Sequence, residues 1–211
     1  MPALIQKEKK TAARIFWLLL LFSAQLLYFP INKNVNGGVI ISTPLDAHIP
    51  VIAIWTLPYL LSLPWWVGSF LWAAWKRDYP SYLAFAVAML AVFLSSYIIY
   101  LMYPTYIERP LLNGENWETN LLRFVYSSDR TYNALPSGHT YTSVLIALFW
   151  SKWYPKKRWL WIGITGIVLL STLFTAQHNL PDLVAGTLLA WAGYRFGNWW
   201  VEKDLGRATM L

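Results

Sequence analysis

The chain of 211 residues has no cysteine, little charge and three histidines. Without cysteine there is no disulfide, no thiol nucleophile and no thiolate metal site. Charged residues make up 13% of the sequence, about half the share of an ordinary soluble domain. A soluble domain of this length rarely has so little charge. Acidic residues are the scarcer sign, 10 against 17 basic, for a net charge of +7. In a soluble protein that balance would suit nucleic acid. Here the basic residues flank apolar runs, so membrane topology is the simpler cause and no nucleic-acid partner is expected. Internal repeats and low-complexity segments are absent.

What the chain does have is apolar mass: 57% hydrophobic residues, with 14 Trp and 13 Tyr. The amphipathic rings of Trp and Tyr favour the headgroup level of a bilayer. A spanning helix needs roughly 20 mostly apolar residues. Six segments read as spans, at about 13–29, 50–72, 81–103, 139–154, 159–176 and 181–201. The fold class expected is an all-α membrane bundle of six transmembrane helices in one membrane domain over 1–211. Pro58 and Pro64 predict a kink or an irregular end in the second span. The first span has the basic start of a signal peptide, but no small-x-small cleavage pattern follows, so it reads as retained.

Thirteen of the 17 basic residues fall on one side of these spans: near the N-terminus, around Lys76-Arg77 and Lys152–Arg158, and after Arg195. Lys33, Arg109, Arg123 and Arg130 fall on the other side. The positive-inside rule then places both termini in the cytoplasm. The segments 30–49, 104–138 and 177–181 face outward, and 104–138 is the longest polar loop.

Three polar clusters share that outer side. They are Arg109-Pro110, Pro136-Ser137-Gly138-His139 at the start of span four, and His178 with Asp182 between spans five and six. Arg109 offers a planar fork of donors suited to phosphate oxygens. Ser137 suits a helix N-cap, and Gly138 allows backbone to approach a ligand. The free amides of the first turn point at an anion. His139 in that turn is placed to pass a proton to a leaving oxygen. If the backbone is helical between them, His178 and Asp182 share a face. A carboxylate on one ring nitrogen then fixes the tautomer and leaves the other free to attack. Pro181 suits the first turn of span six. This set fits phosphoryl transfer through a phosphohistidine, with Arg109 and backbone dipoles meeting the charge and no metal or other cofactor required.

These residues resemble the type 2 phosphatidic acid phosphatase superfamily of six-helix membrane enzymes. Its pattern is K-x6-R-P, then P-S-G-H, then S-R-x5-H-x3-D. Here P-S-G-H is complete at Pro136–His139, the third motif keeps Ser171, His178 and Asp182, and the first keeps Arg109-Pro110. "LDAHIP" at 45–50 also resembles members close to the inositol phosphorylceramide synthases. The resemblance implies His178 as nucleophile, Asp182 as its orienter and His139 as general acid. It implies Arg109, Ser137 and the Gly138 amide as phosphate ligands, with Ser171 a further candidate on the phosphate side. Two motif cations are missing: Met102 stands at the Lys position and Thr172 at the Arg position. Arg123 and Arg130, in the same outer loop, are the candidate substitutes.

The function expected is a metal-independent lipid phosphatase in the cell membrane. It would act on a lipid phosphate or diphosphate at an extracytoplasmic site. One alternative is a phosphotransferase that moves a phosphoryl or phospho-headgroup to an alcohol. Another is a non-catalytic lipid-binding protein, which the missing cations favour. A bis-histidine haem on His139 and His178 would leave Arg109 and Pro-Ser-Gly without a role. Ser171 also suits a hydrogen bond back within its own helix. Asp46 and His48 read as loop residues or caps of span two.

Overall fold

The computed structural model describes residues 2–208, with side chains for residues 10–203. Eight helices follow one another: α1 Pro2–Leu26, α2 Tyr28–Asn34, α3 Thr56–Lys76, α4 Tyr79–Met102, α5 Trp117–Ser128, α6 Gly138–Trp153, α7 Arg158–Phe174 and α8 Leu180–Ala208. Among the described residues the only β pairing is isolated, Val39 with Thr105 and Tyr106 with Tyr132.

Each expected span is helical, with shifted ends. The first extends back to Pro2 and breaks at Leu27, ahead of α2. The second has the irregular start that its prolines predict. Residues 50–52 have no regular secondary structure, Ala53–Trp55 form a 3₁₀ turn, and α3 then runs through Pro64. By length and composition, three described helical stretches suffice to cross a membrane: Lys10–Asn34, Tyr79–Met102 and Pro155–Phe174. α6 is shorter, with 16 residues. At 1.5 Å per residue it covers about 24 Å of a hydrocarbon layer of about 30 Å. α3 and α8 are long enough but are diluted by proline, glycine, tryptophan and polar residues.

α4 forms the centre. Asp78 caps it by accepting from the Ser81 amide at 3.0 Å, and Pro80 sits in the first turn. Tyr82, Phe85, Met89, Val92 and Phe93 on α4 are fully buried and pack against α1, α6 and α8. Small residues allow the closest approach. A Cβ on Gly197 would lie 2.3 Å from the Ala84 carbonyl oxygen, and one on Gly193 2.3 Å from Val92 Cγ2. Glycines four residues apart let helix backbones approach closely where lipid tails supply no hydrophobic drive between helices.

Contacts tie the basic segments to one end of the bundle. Arg14 donates to the Ala74 carbonyl at 2.6 Å, and Tyr82 donates to the Arg14 carbonyl at 3.0 Å. The Arg77 guanidinium lies 5.0 Å from the Trp153 ring, and Lys152 donates to Asn198. The three polar clusters meet at the other end.

The loop 104–138 carries a helix that its polar composition hid. Asn116 caps α5 by accepting from the Thr119 amide at 2.9 Å, so "NWET" is a helix start. Leu122 and Val125 are buried, while Trp117 and Phe124 are exposed. The rest of the loop is pinned by backbone bonds, Tyr106 to Val39, Ile107 to Thr131 and Ala134 to Thr105.

The α4–α8 contact gives the first test. Gly197→Val should destabilise the bundle by about 1–3 kcal/mol, the usual cost of overpacking. Gly163→Val, where a Cβ meets nothing within 4 Å, should do far less. Melting temperatures in detergent compare the two, and equal shifts would refute the close packing.

Candidate active site

The turn that presents His178 is built by the end of α7. The Gln177 amide donates to the Thr172 carbonyl at 2.9 Å, and the Ala176 amide to the Leu173 carbonyl at 2.9 Å. This is the paired closure of a Schellman helix end, with Ala176 in the left-handed region at φ 47°. The His178 amide also reaches the Thr172 carbonyl, at 3.2 Å. Thr172 thus serves the turn through its backbone. Its hydroxyl donates back to Leu169 at 2.7 Å.

Asp182 belongs to the start of α8. Its Oδ2 accepts from the Asn179 amide at 2.9 Å. The N-cap and N3 positions of "NLPD" thereby form one half of a capping box, with Pro181 between them. The same Oδ2 lies 3.4 Å from His178 Nδ1, and both side chains are enclosed. That contact lacks hydrogen-bond alignment, and Asp182 Oδ1 has no partner. Catalytic pairs are often loose before substrate binds. Asp46 caps α8 as well, accepting from the Leu180 amide at 2.7 Å. Of the two expectations for Asp46, a loop residue or a cap of span two, the cap is corrected: the carboxylate caps α8 rather than α3. His48 is exposed and meets the Pro44 carbonyl.

His139 sits in the first turn of α6. Ser137 caps that helix, its Oγ accepting from the Thr140 amide at 3.3 Å. Tyr100 holds the preceding Pro136 carbonyl at 2.6 Å. The His139 ring stacks on Tyr59 at 4.1 Å and leans on Trp66 at 4.9 Å. Trp66 is fixed by its own bond to Ser143 at 3.0 Å. His139 and His178 face each other with ring centres 6.4 Å apart, and His139 Nε2 is buried without a partner. Both histidines and Gly138 line one cavity of about 280 Å³. Tyr59 and Trp66 pack on His139; neither belongs to a motif, and Trp66, one of the rings expected at the headgroup level, is buried instead.

The arginines are committed elsewhere. Arg109 Nη1 donates to the Tyr126 and Asp129 carbonyls, at 3.1 and 2.7 Å. Its Nη2 donates to the Arg130 carbonyl at 3.3 Å and to Gln177 Oε1 at 2.6 Å. Only Nε is left without a partner. Arg109 therefore clamps the end of α5 to the turn that carries His178. Arg130 donates to the carbonyls of Asn32, Lys33 and Val35, where α2 ends, although it also borders the cavity. Arg123 donates to Asn120 and to the Leu112 and Gly114 carbonyls. Ser171 donates to the Val168 carbonyl at 2.6 Å and is fully buried within α7. Met102 is the last residue of α4 and is exposed.

One acid at the cavity was not singled out in the sequence. Asp129 faces it and accepts from the Tyr28 hydroxyl at 3.0 and 3.2 Å. Burial raises its carboxyl above the usual range, outweighing the Tyr28 bond and the nearby charge of Arg109. Its neighbours are scattered along the chain, so no local spacing marked it. Among the described residues, no three His, Asp or Glu side chains converge as a metal-ligand set.

The Asp129 shift gives a prediction. Between the ordinary carboxylate range and the raised folded value, the folded state binds more protons than the unfolded. Stability therefore falls as pH rises through that window. Asp129→Asn keeps an acceptor for Tyr28 and removes that loss. It should raise the melting temperature at pH 7.5 and flatten its pH dependence under mildly acidic conditions. An unchanged or lower melting temperature at pH 7.5 would contradict the burial cost.

No curated protein matches the chain, and no solved structure does. A family model described as the PAP2 superfamily matches residues 24–196. The match runs from the end of α1 through most of α8 and includes both cavity histidines, Asp182 and Arg109. The histidines converge, the carboxylate stands behind one of them, and apolar helices surround the site: this chain belongs to the PAP2 superfamily, membrane proteins of the phosphatase or phosphotransferase type.

Proposed function

We propose that this protein hydrolyses a lipid phosphate or diphosphate through a phosphohistidine at His178, without a metal. The observation that carries this reading is the pairing of His139 and His178 across one cavity, with Asp182 behind His178. Asp182 at Nδ1 favours the tautomer that leaves Nε2 free. Nε2 attacks phosphorus and the bond to the leaving oxygen breaks. His139 gives that oxygen its proton. His139, now neutral, takes a proton from the water that attacks the phosphohistidine, which restores its acid form; the bond from phosphorus to His178 Nε2 breaks and inorganic phosphate leaves. The Gly138 and His139 amides, ahead of the first intrahelical bond, face the equatorial oxygens. Arg109 contributes its charge and its free Nε–H. Ser137 holds the helix start that aims those amides.

In this reading six helices span the cell membrane as one domain. The basic end with both termini is cytoplasmic, and the cavity opens on the extracytoplasmic side. The exposed apolar side chains of Phe29, Leu63 and Phe124 border the cavity and suit lipid arriving from the leaflet. Transfer to an alcohol, as in the inositol phosphorylceramide synthase-like branch, is the second reading. It is favoured by Asp129, whose carboxyl faces the cavity and suits a hydroxyl donor.

Purified protein should release phosphate from a panel of lipid phosphates and diphosphates in the presence of EDTA. His178→Ala should abolish release. Asp182→Asn, which keeps an acceptor for the Asn179 amide, should lower the rate roughly 10³–10⁴-fold, as in other His–Asp pairs. Near-full activity in Asp182→Asn would refute the orienting role. Phosphate transfer to an added alcohol without free phosphate would replace hydrolysis by the second reading.

A further inference from the structure

The cavity has a shortage and a surplus that match. Two motif cations are absent, at Met102 and Thr172, and the loop arginines are bound to carbonyls. Yet two carboxamides line the cavity with unused hydrogen-bonding atoms. Asn133 is 3% exposed, and neither its Nδ2 nor its Oδ1 has a partner. Gln177 is 5% exposed, and its Nε2 has none. Burying such donors unpaired is costly. One amide precedes each half of the histidine pair: Asn133 stands ahead of His139, and Gln177 directly before His178.

The direction of the Gln177 amide follows from chemistry. Guanidinium only donates, so the atom 2.6 Å from Arg109 Nη2 must be the oxygen. The NH₂ group is left for the cavity. Asn133 has φ 61°, a left-handed value that Asn tolerates better than most residues. That accounts for its backbone but leaves its carboxamide unused.

We infer that Asn133 Nδ2 and Gln177 Nε2 are phosphate-oxygen donors, neutral amides standing where the superfamily pattern has cations. Arg109 is the positioning residue for Gln177. A phosphate held this way is bound by directed hydrogen bonds more than by net positive charge. This inference rests on the proposed reading of the cavity as a phosphate site.

The test is binding of dioctanoyl phosphatidate and of dioctanoylglycerol, followed by tryptophan fluorescence in detergent. Asn133→Gly suits the positive φ and removes the amide. Gln177→Glu keeps an oxygen for Arg109 and removes the donor. Each should weaken phosphatidate binding about tenfold or more, the usual loss for a hydrogen bond to a charged group. Dioctanoylglycerol affinity should stay unchanged. Unchanged phosphatidate binding in the double variant would overturn the inference and leave the amides to water. So would an equal loss for both lipids, or no phosphatidate binding by the unaltered protein. Phosphate release separates the two claims. Histidine-dependent release with unchanged binding refutes the amides and leaves hydrolysis standing. Weakened binding with no release from any lipid refutes hydrolysis and leaves the amides standing.

Discussion

A single backbone bond joins the two histidine segments. The Ser137 amide donates to the Asp182 carbonyl at 3.1 Å, so the cap of α6 is docked on the first turn of α8. Gly186 makes the docking sterically feasible, since a Cβ there would lie 2.9 Å from the Ser137 carbonyl oxygen. The rest of the site is referenced to this junction. It sets His139 opposite His178 and puts Asp182 behind the second ring. The Schellman turn from α7 and the Asp46 cap fix the other edge.

Charge is the second constraint. An exposed arginine in an outer loop is free to bind phosphate, but here each one closes a loop or a helix end. Arg130 serves the carbonyls that end α2, and Arg109 those that follow α5. Both are natural uses of a guanidinium near unsatisfied backbone oxygens. The consequence is a cavity with aromatic walls, two histidines, one lining carboxylate, Asp129, and few free cationic donors. In the proposed reading, stabilisation of an anion there falls to helix-start amides and neutral side chains beside the Arg109 charge, all of which act strongly in a water-poor site.

Much of this was legible in the sequence. The apolar runs marked the long helices, although α1 begins well ahead of its expected span and α3 begins later than its own, and the P-S-G-H and H-x3-D histidines line one cavity. Motif parity placed Arg109 at the same end, but its partners are carbonyls that no motif encodes. Ser171 kept its motif position while its hydroxyl turned into α7, as Ser often does inside helices. α5 was hidden because an amphipathic helix with modest hydrophobicity resembles a polar loop unless its cap is noticed. Asp129 was hidden because its environment is assembled from Tyr28, Arg109 and His178, which lie far apart along the chain.

The central claim is that His178 becomes phosphorylated. Rapid-quench labelling with a ³²P-lipid phosphate, followed by peptide mapping, tests it most directly. The expected result is acid-labile, base-stable label on His178, retained longer when the second half-reaction is slowed and absent from His178→Ala. Label on another residue, or steady turnover with no protein-bound label and full activity in His178→Ala, would contradict it.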